Sequence, residues 1–241
     1  MYSCFSHKNS QDLDHHLLDQ NIDVSVELSN KNYCFVTSPG QSTTLTLLVT
    51  ESVVANIHIF CADSVDLTVR LILLFPELVD IKLSMILCGN SSKITLLGMC
   101  ALAQNQSVQL QTRQVHCGKE SQSRFFLQAL LADSASLQYE GTIRIEEQAS
   151  GTYALQNNKN ILLSSQARVI SIPNIEVLNH DVQCYHGSAV GRFMGEQMHY
   201  MKSRGLDDGT IKQLLVQALF ADMLQGYDKR EFILKKIYEK I

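Results

Sequence analysis

Between Ile22 and Ser188 the chain reads as one strand after another. Ile22, Val24, Val26 and Leu28 alternate with polar residues, the period of a half-buried strand. Val53, Ala55, Ile57 and Ile59 repeat the pattern, as do Leu67 to Leu73 and Ile81 to Leu87. Ile94 and Leu96 follow, then Val108 and Leu110, Leu137 and Tyr139, and Ile143 and Ile145. Breaks such as Gly89-Asn90-Ser91-Ser92 are rich in turn residues. No helical period interrupts this region, which excludes a doubly wound α/β domain. A sandwich, a barrel and a parallel β-solenoid all remain open, since no clean repeat is visible.

The pattern changes near Gly191. Met194, Met198 and Met201 fall at helical spacing, and Gly205 marks a stop. Asp207 or Asp208 is placed to cap a second helix with a broad apolar face that includes Ile211, Leu215, Leu219 and Phe220. Asp228 and Glu231 have the spacing of a capping box for a third. At the other end, Asp12 to Asp19 reads as a helical turn or two. The expected organisation is a polar segment over 1–21, a β core over 22–188 and a helical region over 189–241.

Composition narrows the function. Of 241 residues 45% are hydrophobic and 18% charged, with a formal net charge of −4 and no basic block. That argues against nucleic acid as a partner. The seven cysteines, Cys4, Cys34, Cys61, Cys88, Cys100, Cys117 and Cys184, form no C-x-x-C pair and are odd in number. They read as reduced thiols. No apolar run suits a signal peptide or a membrane span, so the expected location is cytoplasmic. His15 and His16 lack a third ligand nearby and read as solvated. His116 and Cys117 face opposite sides of any strand and read as structural. The lack of Trp, the few aromatics and the absence of paired acids on a β run weigh against a carbohydrate-active β-helix enzyme.

Residues 116–219 carry a further signal. In order, they contain Leu131-Ala132-Asp133-Ser134-Ala135, Gly141-Thr142-Ile143-Arg144-Ile145 and Gly151-Thr152-Tyr153-Ala154. Asn160 to Ser164 and Pro173-Asn174-Ile175-Glu176-Val177 follow, then Asp181-Val182-Gln183-Cys184-Tyr185-His186-Gly187-Ser188 and Glu196 to Leu206. This series resembles the SufB/SufD family of iron–sulfur cluster assembly scaffolds. The resemblance implies a right-handed parallel β-helix followed by a helical C-terminal region. It also implies a scaffold without catalytic activity, a SufC-like ABC ATPase docked on the C-terminal helices, and pairing through the end of the β-helix with a SufB-like subunit. A transient iron–sulfur cluster would form at that junction. A self-pairing minimal scaffold is the alternative. The sequence makes no statement about flavin.

Within the family the resemblance is closer to SufD. His186 matches the histidine of a Cys-x-His-Gly motif found in SufD proteins. Ala167 stands where SufB has a reactive cysteine, and Gly187 where SufB has a glutamate. Two departures accompany the match: only about twenty residues precede the β region, and Leu219 replaces the glycine that usually precedes the phenylalanine of the middle helix. Cys184 and His186 lie two apart, so a strand puts them on one side. Both are candidate cluster ligands, since iron with sulfide accepts thiolate and imidazole. Ile211, Leu215, Leu219 and Phe220 are the candidate ATPase contacts.

Overall fold

A computed structural model describes residues 13–19, 23–193 and 195–241. Cys4, Asp12, Ile22 and Met194, named above, lie outside the described residues. Among the described residues fourteen strands precede three helices. The strands are β1 (Leu13–Leu18), β2 (Val24–Glu27), β3 (Asn32–Thr37), β4 (Ser42–Val49), β5 (Val53–Cys61), β6 (Asp66–Leu74) and β7 (Leu78–Leu87). They continue with β8 (Lys93–Leu102), β9 (Ser107–His116), β10 (Gln122–Leu131), β11 (Ser136–Ile145), β12 (Thr152–Leu162), β13 (Arg168–Val177) and β14 (Val182–Gly191). The helices are α1 (Gly195–Ser203), α2 (Asp208–Phe220) and α3 (Arg230–Lys240).

Odd strands form one seven-stranded sheet and even strands another, each in sequence order. Every pairing is parallel, so the chain coils as a β-solenoid of two facing sheets. This decides among the three all-β options that alternation leaves open. The segment read as a helical turn is instead strand β1, aligned with β3. Its short helical-looking pattern yields because pairing with β3 satisfies its backbone and lets His16 stack on Phe35 at 5.0 Å.

Alternation places Leu67, Val69, Leu71 and Leu73 in the interior with Leu96, Phe125, Leu127 and Tyr139. Phe125 and Tyr139 stack at 5.6 Å, and the Tyr139 hydroxyl is 2.9 Å from that of Thr112. Residues of opposite parity on the even sheet face outward but are also buried. Ile72, Leu74, Met99, Ala101 and Leu130 form a second core with Val216, Phe220, Met223, Ile233, Leu234 and Ile237 of the helical region. The dense apolar run Leu71 to Phe75 thus serves two cores at once. Arg70, on that outer face, donates through Nε to Met223 O and through Nη2 to Gln225 O, both at 3.0 Å. It fastens the carbonyls after α2 to the sheet.

Asp207 is the cap of α2, accepting from Thr210 N at 2.9 Å. The expected Asp228–Glu231 box does not form. Arg230 N donates to Tyr227 O in a preceding turn, and Lys229 takes the cap position with no side-chain bond. Asp228 therefore sits one residue too early. Among the described residues no helix is long and apolar enough to cross a membrane.

Candidate functional site

The solenoid ends in two open edges, β13 on one sheet and β14 on the other. Each strand has a partner on one side only, which leaves a row of backbone donors and acceptors unpaired. Ile170, Ile172, Ile175 and Val177 of β13 are exposed, as are Tyr185 and Val190 of β14. Such apolar side chains on a sheet edge mark an interaction surface.

Cys184 and His186 both lie on β14, in the register that continues the interior. Ala154 aligns with Cys184, and Gln156 with His186. One coil earlier Gln156 aligns with Phe125, which aligns with Leu96. His186 therefore terminates a column of inward positions and is exposed because no further coil covers it. Cys184 packs against Ile143, Ile145, Ala149 and Ala154. Burial pushes its thiol up, which disfavours the thiolate a metal needs. The two side chains thus share a face but not an environment.

Beneath β14 the interior turns polar. Gln156, Asn158 and Asn160 occupy the inward register of β12, where β10 has Phe125, Leu127 and Ala129. All three amides are buried, and Gln156 Oε1, Asn158 Oδ1 and Asn160 Oδ1 have no hydrogen-bond partner among the described residues. Asn158 Nδ2 donates to Ser171 Oγ at 2.9 Å, and Ser171 Oγ is 2.9 Å from Ser188 Oγ of β14. Gly141 makes the tier possible, since a Cβ there would fall 2.1 Å from the Tyr139 hydroxyl and 2.4 Å from Gln156 Nε2. The sequence reading missed this tier. Its trace is the polar run Gln156-Asn157-Asn158-Lys159-Asn160 inside an otherwise strand-like stretch.

Spacing gives no partner for Glu146 or Glu176, but the fold supplies one. Arg144 Nε donates to Glu146 Oε1 at 2.6 Å and Nη1 to Glu176 Oε2 at 3.0 Å. Both carboxylates are therefore committed to an ion-pair cluster beside the β13 edge. His15 lies on β1, and His16 is 3.3 Å from Asp14. His116 is fully buried, as its structural reading expects. Ala167, where the SufB thiol would stand, is buried in the main core. Among the described residues, no group of three or more His, Cys, Asp and Glu gathers in a metal-binding arrangement.

Of the four helical residues named for partner binding, Ile211, Leu219 and Phe220 are buried within the chain's own fold, the last two against the even sheet. Leu215 keeps part of its surface, and the neighbouring Leu214 is 43% exposed. The apolar face of α2 is thus largely spent on its own solenoid.

A family model described as "SUF system FeS cluster assembly, SufBD core domain" matches residues 49–219. The chain belongs to the SufBD family. An iron–sulfur cluster assembly SufBD family protein of Mycobacterium tuberculosis is 29% identical over 161 residues, which cover 64% of this chain and 41% of that protein. The iron–sulfur cluster assembly protein SufD of Escherichia coli is 27% identical over 138 residues, covering 57% of this chain and 33% of its own length. SufD of Bacillus subtilis is 29% identical over 119 residues, covering 49% and 27% respectively. This SufBD chain matches about two fifths or less of each of these relatives. The matched family region runs from the end of β4 to the penultimate residue of α2, so it takes in the open solenoid end, α1 and nearly all of α2, and stops short of α3.

Proposed function

We propose that this SufBD chain is a SufD-like scaffold subunit in iron–sulfur cluster assembly. Its open solenoid end pairs with a SufB-like subunit, and the cluster, as cargo, forms against His186. The observation that carries the reading is the position of His186. It is an exposed imidazole at the end of an interior column, on an edge strand with one free side. An imidazole and a half-buried thiol of raised pKa are too few to hold a cluster, which takes about four ligands. The remaining ligands would come from whatever strand pairs with β14. A partner arriving by strand addition satisfies the edge backbone and covers Ile170, Ile172 and Tyr185 in the same step.

A SufC-type ATPase would meet the outer face of the helical region, where Leu214, Leu215 and Phe232 are presented, rather than the buried Ile211, Leu219 and Phe220. The chain acts as a scaffold without catalytic activity of its own, in the cytoplasm.

His186→Ala in the reconstituted complex tests the ligand role. Cluster loading, read from visible absorbance and from bound iron and sulfide, is expected to fall on the order of tenfold or more. His186 is exposed, so the far-UV spectrum and subunit stoichiometry stay unchanged. Loading equal to the parent complex would remove His186 from the site.

A further inference from the structure

Two turns on one corner of the solenoid have the same form. Cys88-Gly89-Asn90-Ser91-Ser92 follows β7, and Cys117-Gly118-Lys119-Glu120-Ser121 follows β9. In each the serine hydroxyl donates to the carbonyl of its own glycine at 2.9 Å. Ser91 and Glu120 both take the left-handed conformation, with φ of 51° and 55°. The two turns lie directly on one another. Leu87 aligns with His116, and Leu87 O accepts from both Cys117 N and Gly118 N at 3.0 Å. A Cβ on Gly118 would fall 2.0 Å from Gly89 O, so no space separates the turns.

Cys88 and Cys117 each sit between the aligned strand residue and the stacked glycine, and are therefore neighbours on adjacent coils. In-register neighbours in a parallel sheet are about 4.8 Å apart. A disulfide spans Cα separations of about 4.4–6.8 Å. Cys88 is exposed and Cys117 partly so, which admits a small solute. Among the described residues the other thiols are worse placed. Cys61 lies near Cys88 but is fully buried, and burial pushes its pKa up to about 12. Cys34 and Cys100 are buried, and Cys184 is on β14.

We propose that Cys88 and Cys117 are an oxidisable thiol pair that closes a disulfide between adjacent coils on reaction with a hydroperoxide. One thiolate attacks a peroxide oxygen, the O–O bond breaks, and a sulfenic acid forms as hydroxide leaves and takes up a proton. The second sulfur then attacks the sulfenic sulfur, the S–O bond breaks, and a second water departs. The two thiols lose two electrons in all, and hydrogen peroxide is reduced to two waters. The site does not depend on the cluster chemistry proposed at His186 on the edge strand β14.

The test treats the reduced full chain with an excess of hydrogen peroxide, alkylates the remaining thiols and maps the digest by mass spectrometry. The expected product is a peptide pair joined Cys88 to Cys117, removed by dithiothreitol and absent from both Cys88→Ser and Cys117→Ser. Each serine variant should instead carry sulfinic or sulfonic acid on the remaining cysteine. Parent protein in which Cys88 is over-oxidised while Cys117 stays alkylated would overturn the proposal. So would a disulfide from Cys88 to any other cysteine.

Discussion

Phe220→Ala is expected to destabilise the chain by about 3–5 kcal/mol, the range for removing a buried aromatic side chain. Phe220 has no exposed surface and lies where α2, α3 and the outer face of the even sheet meet, in the core that holds Met99, Leu130 and Ile233. The cavity cannot close easily, because the sheet on one side is held by parallel pairing to its neighbours. The interior of the solenoid is a separate cluster that contains no helical residue. The loss should therefore appear first in the helical layer, as protease cleavage within 195–241 ahead of cleavage in the strands. Guanidinium unfolding followed by far-UV dichroism, with limited proteolysis alongside, measures both effects. A cost below about 1 kcal/mol, or cleavage that begins in the strands, would mean that α2 is not anchored through this residue.

The second large effect is one of pH. His116 is buried, and desolvation lowers its pKa from 6.5 to about 4. Its Nδ1 is 2.8 Å from Ser121 Oγ and its Nε2 is 2.8 Å from Ser123 Oγ. Ser121 passes its own proton to Gly118 O, so Nδ1–H donates to Ser121. Ser123 Oγ is 2.6 Å from Gln114 Oε1; the neutral ring has both nitrogens bonded once the Gln114 amide is turned so that its nitrogen faces Ser123 and Ser123 donates to Nε2.

The native state thus binds this proton less readily than the unfolded chain. The contribution is whole above pH 6.5, is lost as pH falls through the window from 6.5 to about 4, and is gone below it. At 1.36 kcal/mol per pKa unit the loss is on the order of 3 kcal/mol. His58, also lowered by desolvation, adds to it in the same direction. Asp207 is shifted downward, by hydrogen bonds from Thr210, so its contribution is lost only at more acid pH. Stability measured by urea unfolding at pH 7 and pH 4 should fall by that amount in the parent and by much less in His116→Gln. Equal pH dependence in the two proteins would show that His116 is not buried as a neutral ring.

The strands were legible where one face meets the core and the other meets solvent, as in β5 and β7. They were less legible in β8 and β10, where Met99 to Leu102 and Ala129 to Leu131 are buried on both faces because the helices cover the sheet. Continuous apolar runs were thus the sequence's record of where the helical layer docks. The repeat itself was hidden for two physical reasons. The coils lengthen along the chain: Leu13 aligns with Asn32, 19 positions on, but Ser136 aligns with Arg168, 32 positions on. The corners are also marked by conformation rather than residue type. Ser64, Ser91 and Glu120 hold left-handed φ at positions where Gly40 and Gly151 stand in other coils. A chain of backbone bonds from each such corner to the next coil supports them, including Ser64 N to Asn90 O and Ser91 N to Lys119 O, so glycine is not required.

At the site, period-2 geometry correctly put Cys184 and His186 on one side of a strand, but it could not tell their environments apart. That difference depends on Ala154 and Ile143 lying under one residue while the other projects beyond the last coil. The helical candidates meet a related limit. An apolar face on α2 is equally suited to a partner and to the chain's own sheet, and only the fold shows that Ile211, Leu219 and Phe220 are already covered.

The central claim is that this chain works as one subunit of an assembly machine. Co-expression of the tagged chain with a SufB-type protein and a SufC-type ATPase from the same source, followed by affinity purification and size-exclusion chromatography, tests it directly. The account predicts a stable complex that contains both partners and, after incubation with ferrous iron and sulfide, elutes with a cluster. A chain that elutes alone or only as a self-pair, with neither partner retained, would contradict it.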